Sequence, residues 1–264
     1  MKSKYAFLAL LLSLVACGGQ DSAADKPNVP DVVDSSSAAA TPSEPTDTGS
    51  AQVTEMTEGP VPPGRHRFTI RNLCEKGDEI GCPKGTVPPP PLDLEVTVPA
   101  GWQHWPDFGV ITPDTDDTPT EGPDGAALVM GWTTFQVGLN SDPCITDVDG
   151  HEVPDIKVGP TVDDFVDAVQ AHKGLDVTEP VDTEVGGYRA RLFSLEGPPD
   201  ISACDNWRPW DPGFFVQGPN NHWDVWAIDV DGDRVLIVTQ HFPDTPEQTV
   251  DELGDMVETI TFQP

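Results

Sequence analysis

Serine and histidine side chains are the first candidates for catalytic chemistry, because a serine hydroxyl becomes a useful nucleophile only beside a base. The sequence contains no Gly-x-Ser-x-Gly, Ser-x-x-Lys or His-Glu-x-x-His motif. Ser194 lies within a strand-like pattern and Ser202 lies beside Cys204, and spacing gives neither serine a partner histidine. The six histidines are scattered, at His66, His104, His151, His172, His222 and His241. The sequence therefore predicts no catalytic residues.

Carboxylates are the second candidates, but with 45 acidic residues a chance pair of general acid and base is uninformative. Two segments are similar to the opening of a calcium-binding loop, Asp229-Val230-Asp231-Gly232-Asp233 and Asp147-Val148-Asp149-Gly150. An EF-hand loop closes with a bidentate Glu at its twelfth position, whereas that position counted from Asp229 is Gln240. We interpret both segments as turns, and we predict neither a metal nor another cofactor.

The N-terminus combines basic residues, an apolar run and a cysteine. Lys2 and Lys4 precede an apolar run that ends in Leu14-Val15-Ala16-Cys17. This pattern is typical of a secretory signal peptide, and the run is too short to span a bilayer as a mature helix. The last four residues resemble the bacterial lipobox, in which a peptidase cleaves after the small residue and the cysteine thiol carries a diacylglycerol. We predict that residues 1–16 are removed.

Cys17 is the predicted lipidation site, with two or three acyl chains such as palmitate. Because each buried CH₂ is worth about 0.8 kcal/mol, such chains anchor a protein stably. The prediction is a lipoprotein on the extracytoplasmic side of a cell membrane. The alternative is a secreted protein cleaved near Ala16, in which Cys17 is an ordinary thiol.

Four further cysteines belong to the exported part: Cys74, Cys82, Cys144 and Cys204. Export makes disulfides the default, and four cysteines allow three pairings. Cys74 and Cys82 flank a short polar loop that can close as a hairpin, so we predict the disulfides Cys74–Cys82 and Cys144–Cys204. Zinc is the competing interpretation, but no Cys-x-x-Cys motif occurs and no histidine stands at ligand spacing.

The net charge limits the partners. The chain carries 14 basic and 45 acidic residues, a formal charge of -31, which repels nucleic acid and anionic lipid headgroups. We predict no nucleic-acid partner and a membrane contact made only through the lipid. Cationic partners remain compatible with this charge. The alternative is that acidity merely keeps the domain soluble.

Composition divides the chain into three parts. Residues 17–61 are rich in Ser, Ala, Thr, Pro, Asp and Glu, and bury too little apolar surface to offset their ordering entropy. We predict a lipid-anchored, disordered tether over 17–61, after the signal peptide 1–16. Residues 62–264 are predicted to form one extracytoplasmic domain.

Strands follow from alternating apolar and polar residues and from turn residues. Residues 126–139 are predicted to form one or two strands around Gly131, and single strands are predicted over residues 66–72, 92–98, 188–195, 223–230 and 234–242. Asp231-Gly232 joins the last two as a hairpin. A helix is predicted from Thr161 to near Gly174, and another from the capping box Thr245-Pro246-Glu247-Gln248 to about Glu258. This order predicts an α+β fold, a mainly antiparallel sheet with two packed helices and disulfides.

Seven tryptophans are a surplus for a domain of this size, at Trp102, Trp105, Trp132, Trp207, Trp210, Trp223 and Trp226. Trp207 and Trp210 stand in an irregular stretch, Trp207-Arg208-Pro209-Trp210, and are the pair that we expect to be exposed. An exposed indole stacks on sugars or prolines and anchors interfaces. The sequence therefore suggests Trp207 and Trp210 as ligand-binding residues, against the alternative that tryptophans fill the core.

A series of short motifs carries a resemblance to a known family. They are Asp142-Pro143-Cys144, Gly159-Pro160-Thr161-Val162-Asp163-Asp164-Phe165, Val185-Gly186-Gly187-Tyr188, Cys204, Trp226-Ala227-Ile228-Asp229-Val230-Asp231-Gly232, Phe242-Pro243 and Met256-Val257. Their order over residues 92–262 resembles an uncharacterised family of actinobacterial exported or lipid-anchored proteins. The resemblance also implies that Cys144 and Cys204 are joined. The ending of helix, strands and helix is similar to the PsbP-like fold, a sheet flanked by helices that binds other proteins.

These observations favour a lipid-anchored extracytoplasmic binding or accessory protein without catalytic activity. Its partner is then the membrane through Cys17, together with a protein or glycan of the cell envelope. One alternative is an envelope-acting enzyme whose Asp, Glu or His residues come together from distant segments. The other alternative is a structural envelope protein.

Overall fold

The computed structural model describes residues 52–70, 91–113, 125–133, 138–147, 154–211 and 215–263. The predictions for the signal peptide, for Cys17 and for the Cys74–Cys82 disulfide lie outside these residues. The same is true of the second calcium-like segment beyond Asp147.

The described residues form strands and two helices. The strands are β1 (Thr54–Glu55), β2 (Gly59–Pro60), β3 (Gly64–Ile70), β4 (Leu92–Val98), β5 (Gln103–Trp105), β6 (Gly109–Ile111), β7 (Ala126–Thr133), β8 (Gly138–Leu139), β9 (Cys144–Ile145), β10 (Ile156–Lys157), β11 (Val181–Val185), β12 (Tyr188–Glu196), β13 (Asn206–Trp207), β14 (Trp210–Asp211), β15 (His222–Val230), β16 (Asp233–His241) and β17 (Thr261–Gln263). The helices are α1 (Val162–Ala171) and α2 (Glu247–Glu258).

The central element is an eight-stranded sheet in the order β11-β12-β15-β16-β7-β6-β5-β2. All its pairings are antiparallel. A second sheet has the order β1-β3-β4-β17, in which only β1 and β3 run parallel. The predicted α+β class, mainly antiparallel with two helices, is confirmed for the described residues.

The central sheet has a core on each face because its middle strands β16 and β7 carry apolar residues on both faces. In β7, Leu128 and Met130 face a first core, whereas Ala127 and Val129 face a second core. The first core includes residues of α2 and of the second sheet, among them Phe68, Leu94, Leu253 and Met256. The second core includes the buried face of α1, at Phe165, Val166 and Val169. The sheet therefore separates two cores, each covered by one helix.

Helix α1 begins as the sequence predicts. Thr161 accepts a hydrogen bond from the Asp164 backbone N–H at 3.1 Å, and the Asp164 carboxylate accepts one from the Thr161 N–H at 3.1 Å. This reciprocal pair satisfies two donors that a helix start leaves without intrahelical partners.

The predicted capping box of α2 is wrong. The helix begins at Glu247, and its N-cap, Pro246, makes no side-chain cap bond. The Thr245 hydroxyl instead accepts from the Phe242 N–H at 2.9 Å and donates to the Gly125 carbonyl at 3.0 Å. Thr245 is buried where the chain enters α2, so its hydroxyl joins two loops instead of capping the helix.

Arg234 attaches α1 to the central sheet. Its side chain is buried, and Nη1 donates to the Gly159 and Thr161 carbonyls at 2.8 and 2.7 Å. The guanidinium lies 5.3 Å from the centroid of the Phe165 ring. Burial lowers the Arg234 pKa to about 10, which leaves the group charged at neutral pH. The contacts therefore fix the start of α1 over β16.

The ordered domain begins before the predicted boundary at residue 62. Strands β1 and β2 both lie within the segment predicted as tether. Backbone pairing forms them: β1 aligns with β3, and β2 aligns with β5. Val61 belongs to the first core and Met56 packs against it, so these two residues supply apolar burial before residue 62.

The first calcium-like segment is a tight turn. Asp231 and Gly232, which join β15 to β16, both have positive φ, at 53° and 96°. The Gly232 N–H donates to Asp229 Oδ1 at 2.8 Å. This is the turn that Asp-Gly favours between two strands, and it uses the Asp229 carboxylate within the chain.

A disulfide joins Cys144 to Cys204, 60 residues apart, as the sequence predicts. Cys144 in β9 pairs with Trp207 in β13, so the bond connects two segments that together cover part of the second core.

Candidate functional site

Trp207 and Trp210 do not form the exposed pair that we expected. They are 7% and 0% exposed, and both belong to the second core. The Trp210 ring stands edge-on to Phe165 and Trp223, with centroids 5.4 and 5.6 Å away. The irregular segment that carries these tryptophans folds down onto the sheet, because an indole buried there removes a large apolar area from water. These residues are core residues.

A cluster of polar side chains lies on the opposite face of the central sheet. Nine side chains of β12, β15 and β16 form three aligned rows, which we call the three-strand surface. The rows are Leu192-Trp226-Ile237, Ser194-Asp224-Thr239 and Glu196-His222-His241. Side chains alternate along a strand, so these positions share the face that packs against the first core at Ile228 and Val235.

Burial changes across the surface. Ile237 and Thr239 on β16 are buried, whereas Leu192 and Trp226 are partly exposed. The side chains of His222 and Asp224 are 35% and 33% exposed. The surface therefore presents one partly exposed indole next to a row of accessible polar groups.

Asp224 is the centre of the polar rows. Its Oδ1 accepts a hydrogen bond from the Ser194 hydroxyl at 2.5 Å, across the β12–β15 pairing. The same oxygen accepts one from His222 Nε2 at 3.3 Å. The carboxylate only accepts, so Nε2 carries the hydrogen in this contact. Oδ2 accepts no hydrogen bond from the described part of the chain.

His241 lies against His222. Their ring centroids are 4.7 Å apart and the rings are inclined by 33°. His241 Nδ1 lies 3.3 Å from the Phe242 carbonyl, which only accepts, so Nδ1 donates. Within the described residues, this leaves Nε2 of His241 and Nδ1 of His222 without protein partners.

The two histidines titrate in opposite directions. The hydrogen bond to Asp224 raises the pKa of His222 against the effect of burial. Burial lowers the pKa of His241, and the neighbouring His222 charge lowers it further. Burial opposes ionisation of Asp224, but the hydrogen bonds from His222 and Ser194 outweigh it and lower the pKa. The arrangement therefore favours a charged pair of His222 and Asp224 beside a neutral His241.

This order of groups does not activate a nucleophile. In a catalytic serine triad the histidine accepts the serine proton, and the carboxylate orients the histidine. Here Ser194 donates to the carboxylate itself, whose lowered pKa makes it a weak base. His222 lies beyond the carboxylate and does not replace it as the base. The geometry is therefore better suited to hydrogen-bonding a ligand than to attacking one.

Part of this surface follows from the sequence. A two-residue turn pairs residues that are equally distant from it, so Asp231-Gly232 places His222 opposite His241. Ser194 could not be found in this way. Its register with Asp224 depends on the long connection between β12 and β15, which no local rule specifies.

We expect Asp224→Asn to reduce the free energy of unfolding more at about pH 5.5 than at about pH 8.5. The pKa of His222 is raised on folding, so its ion pair stabilises fully below the unfolded pKa of about 6.5. This contribution is lost as the pH rises through the higher folded pKa. Urea unfolding at both pH values measures it. Asp255→Asn, at an exposed position on α2, is the control. An equal loss at both pH values would show that the pair is uncoupled.

Two surface clefts lie elsewhere. One, of about 350 Å³, is lined by Met56, Val61 and His66 among others. The other, of about 200 Å³, lies at the start of α1 beside Arg189 and Arg191. Arg191 is already paired with Asp163 and Asp182, at 3.1 and 3.2 Å. In the described ranges, no three His, Cys, Asp or Glu side chains are grouped to hold a metal ion.

Comparisons with known proteins give little. No protein-family model and no curated protein matches the chain. A solved structure that is similar is LpqN of Mycobacterium tuberculosis, described as involved in cell envelope biogenesis. It is 10% identical, with a TM-score of 0.36, over 76% of this chain and 92% of that chain. A similarity this low supports no functional conclusion. The family resemblance and the PsbP-like comparison therefore stay predictions.

Neither helix of the described residues has the length and apolar composition that crossing a bilayer requires.

Proposed function

We propose that the chain is a lipid-anchored, extracytoplasmic binding protein without catalytic activity. The observation that carries the proposal is the three-strand surface. There, accessible polar groups lie beside a partly exposed indole, and the Ser194 hydroxyl donates to a carboxylate instead of to a histidine base. The rigid sheet positions these groups, which is how binding sites are preorganised. The finer PsbP-like architecture belongs to the same proposal, as a sheet that presents one face to a ligand.

Two further features support an extracytoplasmic location. The Cys17 sequence resembles the lipobox, and the Cys144–Cys204 disulfide is typical of oxidising compartments outside the cytoplasm. The acidic segment before the domain then acts as the tether between the lipid and the binding surface.

The anchor is tested by replacing its thiol. In a bacterial host that processes lipoproteins, the unchanged protein is expected in the membrane fraction. The Cys17→Ser variant is expected to be released from the membrane fraction. Without acyl chains the acidic domain has no attraction for anionic headgroups. Quantitative immunoblotting of fractions measures the distribution.

Ser13→Ala is the matched control, because it changes a neighbouring side chain and keeps the thiol. Equal membrane retention of Cys17→Ser and the unchanged protein would overturn the lipid anchor.

The enzyme alternative has one observation in its favour, the convergence of Ser194, Asp224 and His222 from distant segments. However, no histidine of the described residues accepts the proton of the Ser194 hydroxyl. The polar rows also contribute no lining residue to either described cleft. We therefore place binding before catalysis.

A further inference from the structure

We infer that the three-strand surface binds an uncharged glycan, stacked on Trp226 and hydrogen-bonded by Asp224, His222 and His241. The inference deepens the proposed function and rests on it, since it names the ligand class of the same surface.

The indole and the polar rows are spaced for an extended ligand. Trp226, Asp224 and His222 alternate on one strand, so the distance from the first to the last is about 13 Å. That length exceeds a single sugar ring. Trp226 and Leu192 supply an apolar platform at one end, and the hydrogen-bonding groups lie at the other.

The open hydrogen-bonding atoms fit hydroxyl groups. Asp224 Oδ2 accepts, Nδ1 of a charged His222 donates, and Nε2 of a neutral His241 accepts. A sugar hydroxyl both donates and accepts, so it satisfies either kind of atom. An aliphatic lipid would leave these polar atoms desolvated without a partner, which costs free energy.

Charge argues for a neutral ligand. The overall charge of -31 disfavours anions. A cationic ligand would have to compete with His222, which is already hydrogen-bonded to the Asp224 carboxylate. Glu196 is exposed beside His222 and also raises the pKa of that histidine, so the surface already contains a cation of its own.

The sheet also argues against an extended peptide. Peptides that recognise a sheet add a strand to its open edge. Strands β15 and β16 have paired neighbours on both sides, so the backbone groups beside Asp224, His222 and His241 are already used. Recognition on this face must therefore use side chains, as stacking and hydroxyl contacts do.

The test uses the mature lipoprotein in detergent micelles and three uncharged probes: tetra-N-acetylchitotetraose, cellotetraose and mannotetraose. Isothermal titration measures binding, and tryptophan fluorescence reports the indole environment. We expect at least one probe to bind. Trp226→Leu and, independently, His241→Ala are expected to weaken that binding by roughly tenfold or more, as substitutions of central binding residues do.

Trp105→Leu is the matched control. Trp105 is also partly exposed, but it packs against the second core on the other side of the sheet, so its loss is expected to leave binding unchanged. His241→Ala keeps the indole, and it therefore separates lost binding from lost packing at Trp226.

The inference is overturned if none of the three probes binds, if both variants bind as tightly as the unchanged protein, or if only a cationic probe, tetralysine, binds. These outcomes leave membrane retention through Cys17 unaffected. Failure of the glycan assignment is thus distinguishable from failure of the lipid anchor.

Discussion

Trp210→Ala is expected to lower the free energy of unfolding by about 4 kcal/mol, within the range for deleting a buried aromatic ring. Trp210 is fully buried, and its ring contacts those of Phe165 and Trp223. Removing it leaves a cavity between α1 and the central sheet. Equilibrium urea unfolding, followed by circular dichroism, measures the loss.

Trp226→Ala is the comparison, because the same side chain is deleted from a partly exposed site. Its loss is expected to be clearly smaller. If Trp210→Ala were as mild as Trp226→Ala, Trp210 would not lie in the core, and the exposed position suggested by the sequence would be restored.

The double variant Cys144→Ser/Cys204→Ser is expected to lose about 4 kcal/mol of stability, because the disulfide closes a loop of 60 residues in the unfolded chain. The native contacts around the bond, including the pairing of β9 with β13, remain available to the variant. Urea unfolding of both proteins under non-reducing conditions gives the difference.

Cys74→Ser/Cys82→Ser is the matched control for the predicted short bridge. The entropy of loop closure depends on the logarithm of loop length. The Cys74→Ser/Cys82→Ser variant is therefore expected to lose about 2 kcal/mol less stability than the Cys144→Ser/Cys204→Ser variant. A larger loss in this control would mean that loop length does not dominate. No loss in the Cys144→Ser/Cys204→Ser variant would show that the pair is not joined in the folded protein.

The elements with strong local patterns were predictable. Residues 92–98 alternate because one side of β4 packs into the first core, and the observed strand has these bounds. Thr161 and Asp164 specify the start of α1 through side chains only three residues apart. Asp231-Gly232 specifies a turn because both residues tolerate positive φ. In each case the structure is determined by residues that are close together in the sequence.

The exposure of tryptophans was not predictable in the same way. Trp207 and Trp210 stand in a stretch without regular periodicity, so no pattern indicates which side faces the protein. Their burial depends on α1 and on the Cys144–Cys204 disulfide, which close the second core over them. The prediction that Thr245 caps α2 was wrong for a related reason. Its hydroxyl bonds to Gly125, which lies 120 residues away.

The candidate site was half predictable. The hairpin register brings His222 opposite His241, and it also aligns Asp224 with Thr239. Ser194, Leu192 and Glu196 come from β12, whose pairing with β15 depends on the packing of the whole sheet. The hydrogen bonds that give Asp224 and His222 opposite pKa shifts therefore emerge only in the folded domain.

The lipid anchor decides where the three-strand surface operates. Mass spectrometry of the N-terminal peptide from the mature protein tests whether the anchor is present. We predict a chain that begins at Cys17 and carries a diacylglycerol on the thiol. A mature chain that begins at another residue, or a Cys17 without lipid, would contradict it.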